Sequence, residues 1–379
     1  MINYYQLGGN KRLCDIVVAG SHDAGITSGG ANEQTQNLDI FDQARAGVRV
    51  FDLRIAATKA SSSSSAPVHL KAFHADPKLM FNRDKTGKTL ADFNGRQGDV
   101  TTTKLPLGGT FGMGLPDMLD QACDFLKYNT TEFLILKFDK CKNWLLIAEI
   151  CVNKLGGYLY TGTGSLNEKT LDDLKRKVVV LFTQSGLDAV SGQGYTSATG
   201  IWGCKSLTKG GSYSSTYDGL QYIGKGGTNP LDGKSDMGKI AANIAKQGKL
   251  MRIGARGTDP EVMGMLYWTT TGLKRSIHDR DQTMWGVNKQ PSLLAQLWAD
   301  GFGDAIEERL PVHMSPTAHA NGAVLKAFMP NIVMVDFADI QKGTFIHGLN
   351  TTATTMLTDA AQKIAAARQP KRGALKGLF

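Results

Sequence analysis

Hydrophobic and polar residues alternate with a period of two in short runs spaced along the chain, the pattern of strands with two distinct faces. In 48-VRVFDLRI-55, Phe51, Leu53 and Ile55 fall on one side, and Asp52 and Arg54 on the other. In 332-IVMVDFAD-339, Val333, Val335 and Phe337 share a face opposite Asp336. In 68-VHLKAFHAD-76, His74 shares its face with Val68, Leu70 and Ala72, while His69 points the other way. A fourth run, 17-VVAGSHDAG-25, ends in His22 and Asp23. Ionisable groups inside a strand-rich core are costly unless they pair and are used. Histidines, carboxylates and an arginine held in such positions have the makings of an active site.

The same patterning predicts strands at 16–21, 48–55, 68–74, 132–139, 178–183, 265–270 and 332–338, with a further one near 249–254. Helical periodicity marks 36–46, 116–128, 291–309 and 355–368, the second with Pro116 at a plausible N1 position. Strands separated by helical stretches predict an α/β fold, a distorted (β/α)8 TIM-type barrel with its chemistry at the C-terminal strand ends. His22 and Asp23 end the first strand, Asp52 and Arg54 the second, and His74 the third. Lys137 and Asp139 end the fourth, and Asp336 lies late in the last. Segments 60–66 and 82–114 read as flexible loops from their Ser, Gly, Thr and Lys content. Segment 184–248, rich in Gly, Ser and Tyr, reads as insertions over the barrel mouth, so that 1–379 form one domain.

Charge and composition narrow the partners. With 43 basic and 34 acidic residues the net charge is +9, which favours an anionic partner such as a lipid surface. Basic residues are densest in the tail 368–379, which can touch anionic lipid. No apolar run is long enough to span a bilayer. The N-terminus lacks the order of a secretory signal, so the expectation is a cytoplasmic protein, or one exported without a cleaved signal, in peripheral contact with membranes. The 5 cysteines are widely spaced without a C-x-x-C pair, which suits buried free thiols rather than a disulfide framework or a zinc site.

Beyond these readings, 20-GSHDAGI-26, 34-QTQNLDIFDQARAGVRVFDLRI-55 and 73-FHAD-76 resemble the X region of phosphatidylinositol-specific phospholipase C. The segments 131-TEFLILKF-138 and 330-PNIVMVDF-337 follow in the order of that family. The resemblance covers about the first 140 residues and the terminal strand. Its most specific part is Gln34 together with Gln43 to Arg54.

The resemblance implies cleavage of a phosphoinositide phosphodiester by the neighbouring inositol 2-hydroxyl, giving a cyclic phosphodiester and diacylglycerol. It implies His22 as general base oriented by Asp336, and His74 as general acid with Asp23 as its partner. It implies Arg54 on the phosphate, Asp52 holding Arg54 or sharing the leaving-group proton, and Lys137 near the inositol ring. The run Asp-Leu-Arg is that of the metal-independent bacterial branch, so no metal or other cofactor is expected. The implied partner is a phospholipid at a membrane surface, with no nucleic acid. Trp202, Trp268, Trp285, Tyr213, Tyr217 and Tyr222 are candidates for membrane contact or ring stacking, Trp268 among them for substrate binding.

Two departures stand out, the first bearing on the implied general acid and the second on the substrate. Ala75 follows His74 where the family carries glycine, and Thr183 or Gln184 stands where a ring-gripping arginine is expected. One alternative is a metal-dependent phosphodiesterase of the same barrel type acting on another phospholipid or a glycerophosphodiester. Its sites need further acidic ligands near the second strand, where Arg54 stands instead. The other is a non-catalytic module for anionic lipid or nucleic acid, although both histidines and the arginine are retained and no nucleic-acid motif occurs.

Overall fold

The computed structural model describes residues 1–59, 66–75, 83–86, 100–106, 108–226, 238, 242–243, 245–247, 261–269, 276–285 and 330–351. In chain order the strands are β1 (Val18–Ser21), β2 (Val48–Leu53), β3 (Ile55–Lys59), β4 (Val68–His74), β5 (Arg83–Thr86), β6 (Val100–Thr103) and β7 (Thr110–Gly114). They continue with β8 (Phe133–Phe138), β9 (Lys177–Thr183), β10 (Ile201–Ser206), β11 (Gly219–Lys225), β12 (Met263–Trp268) and β13 (Ile332–Val335). The α-helices are α1 (Ile40–Arg45), α2 (Leu115–Tyr128), α3 (Trp144–Leu155), α4 (Leu171–Leu174), α5 (Gln184–Val190) and α6 (Ile277–Trp285).

Eight parallel strands close a barrel in the order β1, β2, β8, β9, β10, β11, β12, β13, with β13 returning to β1. Strand parity sorts its side chains into two layers. Val18, Val50, Ile135, Val179, Leu181, Trp202, Met265 and Met334 form one cluster, which fills the bore. Phe51, Leu53, Leu136, Val180, Leu266 and Val335 join Met118, Phe125 and Ile147 of α2 and α3 in the other, between strands and helices. The bore is filled tightly enough that a Cβ on Gly20 would overlap the Met334 sulfur. Continuing the inward parity past this apolar plug brings Asp52, Lys137, Tyr267 and Asp336 to the C-terminal end, where a barrel carries its chemistry.

Three sequence expectations need correction. The run 68–74 is no barrel strand: β4 lies in an antiparallel side sheet, β3-β4-β7. The chain leaves the barrel at one residue, Arg54, between β2 and β3. Segment 184–248 is not merely an insertion, since it supplies α5 and two staves, β10 and β11. These staves show the period-two pattern weakly, with Gly203 inside β10 and Gly219 opening β11, and both glycines are needed. A Cβ at Gly219 would run into the Gly203 carbonyl, and one at Gly203 into the Tyr217 ring. Of 82–114, the described part holds three strands rather than loop alone: β5 pairs with β6, and β7 joins the side sheet. Residues 60–65, the strand near 249–254, the helices 291–309 and 355–368, the tail 368–379, Asp76, His313 and His319 lie outside the described residues.

Near the N-terminal ends of β2 and β8, on their outward face, lies a buried ion pair. Arg49 at the start of β2 donates from Nε to Glu132 at 2.7 Å. Its terminal nitrogens donate to the carbonyls of Ala44, Val48 and Ile2. The guanidinium lies 5.0 Å from the Tyr4 ring centroid and 5.1 Å from that of Phe125. Both charges are fully enclosed, so removing one leaves the other without compensation, at a cost of about 3–5 kcal/mol. Glu132→Gln is therefore expected to lower the urea unfolding midpoint by that amount of stability, with an unchanged urea dependence. A midpoint within error of the wild type would remove this pair from the set of constraints on the barrel.

Candidate active site

The backbone at the end of β1 is bent to present two ionisable side chains in succession. Asp23 adopts φ +44°, and Phe337, just after β13, φ +45°. Left-handed backbone at a non-glycine residue costs about 1–3 kcal/mol and persists only where the surroundings enforce it. Here they do. The His22 N–H donates to the Val335 carbonyl and the Ala24 N–H to that of Asp52, at 3.0 and 2.9 Å. Thr35 donates its hydroxyl to the Asp23 carbonyl, and its backbone carbonyl accepts the Phe337 N–H. Gln36 donates to the carbonyls of His22 and Val335 and accepts from the Ala338 N–H. Gln43 holds the Ala24 carbonyl at 2.9 Å. These buried amides and the buried hydroxyl satisfy backbone groups that the sharp turns leave unpaired.

The side chains so presented converge on Asp23. His74 Nδ1 lies 2.7 Å from Asp23 Oδ2, and His22 Nε2 3.7 Å from the same oxygen. Arg54 Nε approaches Oδ1 at 3.0 Å. That last contact is an ion pair without hydrogen-bond alignment, since Oδ1 has no directed donor. His22 is tied through Nδ1 to Asp336 Oδ1 at 2.9 Å. An ionised carboxylate only accepts, so both Nδ1 atoms carry the hydrogen. The Nε2 atom of each ring is left without a hydrogen-bonding protein partner among the described residues.

Burial of Asp23 opposes its ionisation, but Arg54 and the two imidazoles outweigh it and hold the carboxyl far below the ordinary carboxylate range. For His22, burial pulls the imidazole down, while Asp23 and Asp336 together pull harder and raise it above 6.5. Arg54, buried beside Asp23 with Asp52 and Asp139 also near, stays charged.

Deeper in the bore, Lys137 donates to Asp52 at 2.7 Å and lies 3.7 Å from Asp139. The Tyr267 hydroxyl donates to the other Asp52 oxygen at 3.3 Å. Burial lowers the basicity of Lys137, but Asp52 more than restores it and keeps the ammonium charged. Burial and the Asp52 charge both push the Tyr267 phenol well up, so it remains a donor. Its ring also meets His22 edge to face at 6.0 Å between centroids.

The fold thus brings His22, His74, Arg54, Asp23 and Asp336 into one cluster, with Asp52 and Lys137 beneath it. Two expectations fail. Asp52 does not hold Arg54: its direct partners are Lys137 and Tyr267, and the carboxylate against Arg54 is Asp23. Trp268 does not face the site, because parity turns it outward, fully buried against the helices. Its neighbour Tyr267 points inward in its place. Trp202 and Trp285 are also buried, Trp202 with its ring N–H on the Tyr160 carbonyl. Tyr213 is tied to Ser165 and Glu168, and Gln184 to Asp188. All 5 cysteines are free thiols. Tyr267 was within reach of the sequence, since the alternation of Met263, Met265 and Tyr267 assigns all three to one face. Thr35 and Gln36 carry no such signal, because their role is to hold backbone.

No family model and no curated protein matches the chain. Among solved structures, the fold is similar to a phosphatidylinositol-specific phospholipase C of Staphylococcus aureus, with 14% identity over 91% of this chain and 96% of that one, at a TM-score of 0.49. The corresponding enzyme of Listeria monocytogenes is 15% identical over 90% of this chain and 95% of that one, at 0.45. A calcium-dependent phosphoinositol-specific phospholipase C of Pseudomonas sp is 15% identical, covering 58% of this chain and 78% of that one, at 0.35. Likeness at this level carries no argument about chemistry, which stands on the side chains described above.

Proposed function

We propose that the protein is a metal-independent phosphodiesterase of the phosphatidylinositol-specific phospholipase C type, cleaving phosphatidylinositol lipids to diacylglycerol and a cyclic inositol phosphate. One observation carries this reading: two imidazoles, His22 oriented by Asp336 and His74 by Asp23, stand with a guanidinium around the buried carboxylate of Asp23. An intramolecular phosphoryl transfer needs a base, an acid and positive charge at the phosphate. His22 Nε2 takes the proton of the 2-hydroxyl as its oxygen bonds to phosphorus. The phosphorus–oxygen bond to glycerol breaks, and His74 gives its proton to the departing oxygen. The imidazolium formed on His22 is stabilised by Asp336, in the manner of a triad. Arg54 spreads its charge over the non-bridging oxygens, the part calcium would otherwise take. Lys137 and Asp52 at the floor face the inositol hydroxyls. The sequence resemblance around His22, Arg54 and His74 supports the same assignment.

The substrate lies in a membrane, so the protein would work at its surface. No helix among the described residues is long and apolar enough to cross one. The net charge of +9 favours an anionic bilayer.

Phosphatidylinositol vesicles in excess EDTA are expected to yield a cyclic inositol phosphate signal in the phosphorus NMR spectrum. His22→Ala and His74→Ala should each lower the rate by about 10²–10⁴-fold. Turnover only with added calcium or magnesium would replace this reading with a metal-dependent one. Silence under both conditions, with tight binding of anionic vesicles, would favour a binding module.

The base must be neutral to act and its pKa is raised, so activity should grow as pH climbs through a value above about 6.5. In Asp336→Asn this acid limb of kcat/KM should move to lower pH, together with a fall in kcat. An unmoved limb would separate Asp336 from the base.

A further inference from the structure

Behind the catalytic cluster lies a second buried ion pair that none of the chemistry above uses. Lys342, in the helical residues 340–351, folds its side chain back toward the end of β13. Its Nζ donates to the Asp336 carbonyl at 2.8 Å and to the Phe337 carbonyl at 2.9 Å. The third donor goes to Asp281 Oδ2, on α6. An ammonium has three donors, and all three are spent here, two of them on the turn that aims Asp336. Phe337 is the left-handed residue of that turn. The Lys342 N–H is in turn held by Asp339 Oδ1 at 2.8 Å, and the ammonium lies 5.5 Å from the Trp285 ring centroid.

Stability does not account for this arrangement. Burial pushes the Asp281 carboxyl up to about 7 even against the pull of Lys342, and its Oδ1 finds no hydrogen-bond donor. A buried pair of this kind is generally no more stable than apolar residues of the same volume. A merely structural plug would also have no reason to end on two successive carbonyls beside a catalytic carboxylate.

We infer that Lys342, anchored by Asp281, is a positioning residue that sets the direction of the Asp336 carboxylate toward His22 by clamping the backbone of the Asp336–Phe337 turn. The inference rests on the assignment of His22 and Asp336 as the base pair of the site. Without the clamp, the turn loses the partner of two carbonyls, and Asp336 swings away from Nδ1. His22 then loses part of what raises its pKa, and part of the orientation that a near-attack geometry requires.

The test is a titration of the His22 ring by NMR in protein labelled at histidine, with the signal assigned by its loss in His22→Ala. In Lys342→Met the His22 pKa is expected to fall toward the ordinary value, and in Lys342→Arg to stay near the wild type. With phosphatidylinositol vesicles, Lys342→Met should lower kcat by about 10–100-fold with KM unchanged. A folded Lys342→Met protein with the wild-type His22 pKa overturns the inference, whatever its activity. Should Lys342→Met fail to fold, Asp281→Asn keeps the packing and weakens the anchor. A smaller fall of the His22 pKa in that variant supports the clamp, and no change refutes it. If the wild type cleaves no phosphatidylinositol, the proposed function fails, and the titration still decides the positioning role.

Discussion

The carboxylate of Asp23 is the constraint on which the rest of the site depends. It is buried, it sits on a strained residue, and it balances Arg54 and both imidazoles at once. Arg54 and an imidazole that takes up a proton would repel each other at this distance without it, since each also loses water on burial. The braces around it follow from that demand. Thr35, Gln36 and Gln43 hold the turn in a conformation it would not adopt alone, and the cost of the turn is carried by interactions outside the site.

The charges are affordable because the barrel separates two tasks by parity. Outward side chains weld strands to helices, and inward ones make an apolar plug in the lower bore. Only the top layer of inward positions is polar, and there each charge has an opposite partner within reach. Because the plug excludes water from beneath, the pairs Asp52–Lys137 and Asp336–His22 act in a low-dielectric setting, where fixed dipoles and charges count for more than in solvent.

Much of this was legible in the sequence, for physical reasons that differ by residue. The strands β1, β2, β8, β9, β12 and β13 have strict alternation or continuous apolar runs, and their inward charges stand out against it. The staves β10 and β11 do not, because close backbone approach required glycine at positions where a pattern needs a side chain. His74 was found by its motif, but its strand was assigned to the wrong sheet, since alternation cannot tell a barrel stave from a side strand. Asp52 is near Arg54 in sequence, whereas Asp23, its actual partner, is near only after β1 and β2 have paired. Lys342 and Asp281 belong to no motif and stand 61 residues apart, so their meeting is a product of the tertiary fold alone.

The chain passes from barrel to side sheet in the single residue Arg54, and the Phe73 N–H is bonded to the Arg54 carbonyl. The proton acceptor and the proton donor of the proposed reaction therefore belong to different pieces of architecture. His22 rides on a closed, cooperative barrel whose geometry admits little drift. His74 rides on three antiparallel strands whose apolar face packs into the core shared with the barrel's outer layer, with the Met113 N–H on the Gly25 carbonyl at 2.9 Å. In such a molecule the geometry of the proposed base is set by closure of the barrel. That of the proposed acid is set by how the side sheet docks on the barrel, where Gly112 lies so close to the Gly25 carbonyl that no side chain fits between them.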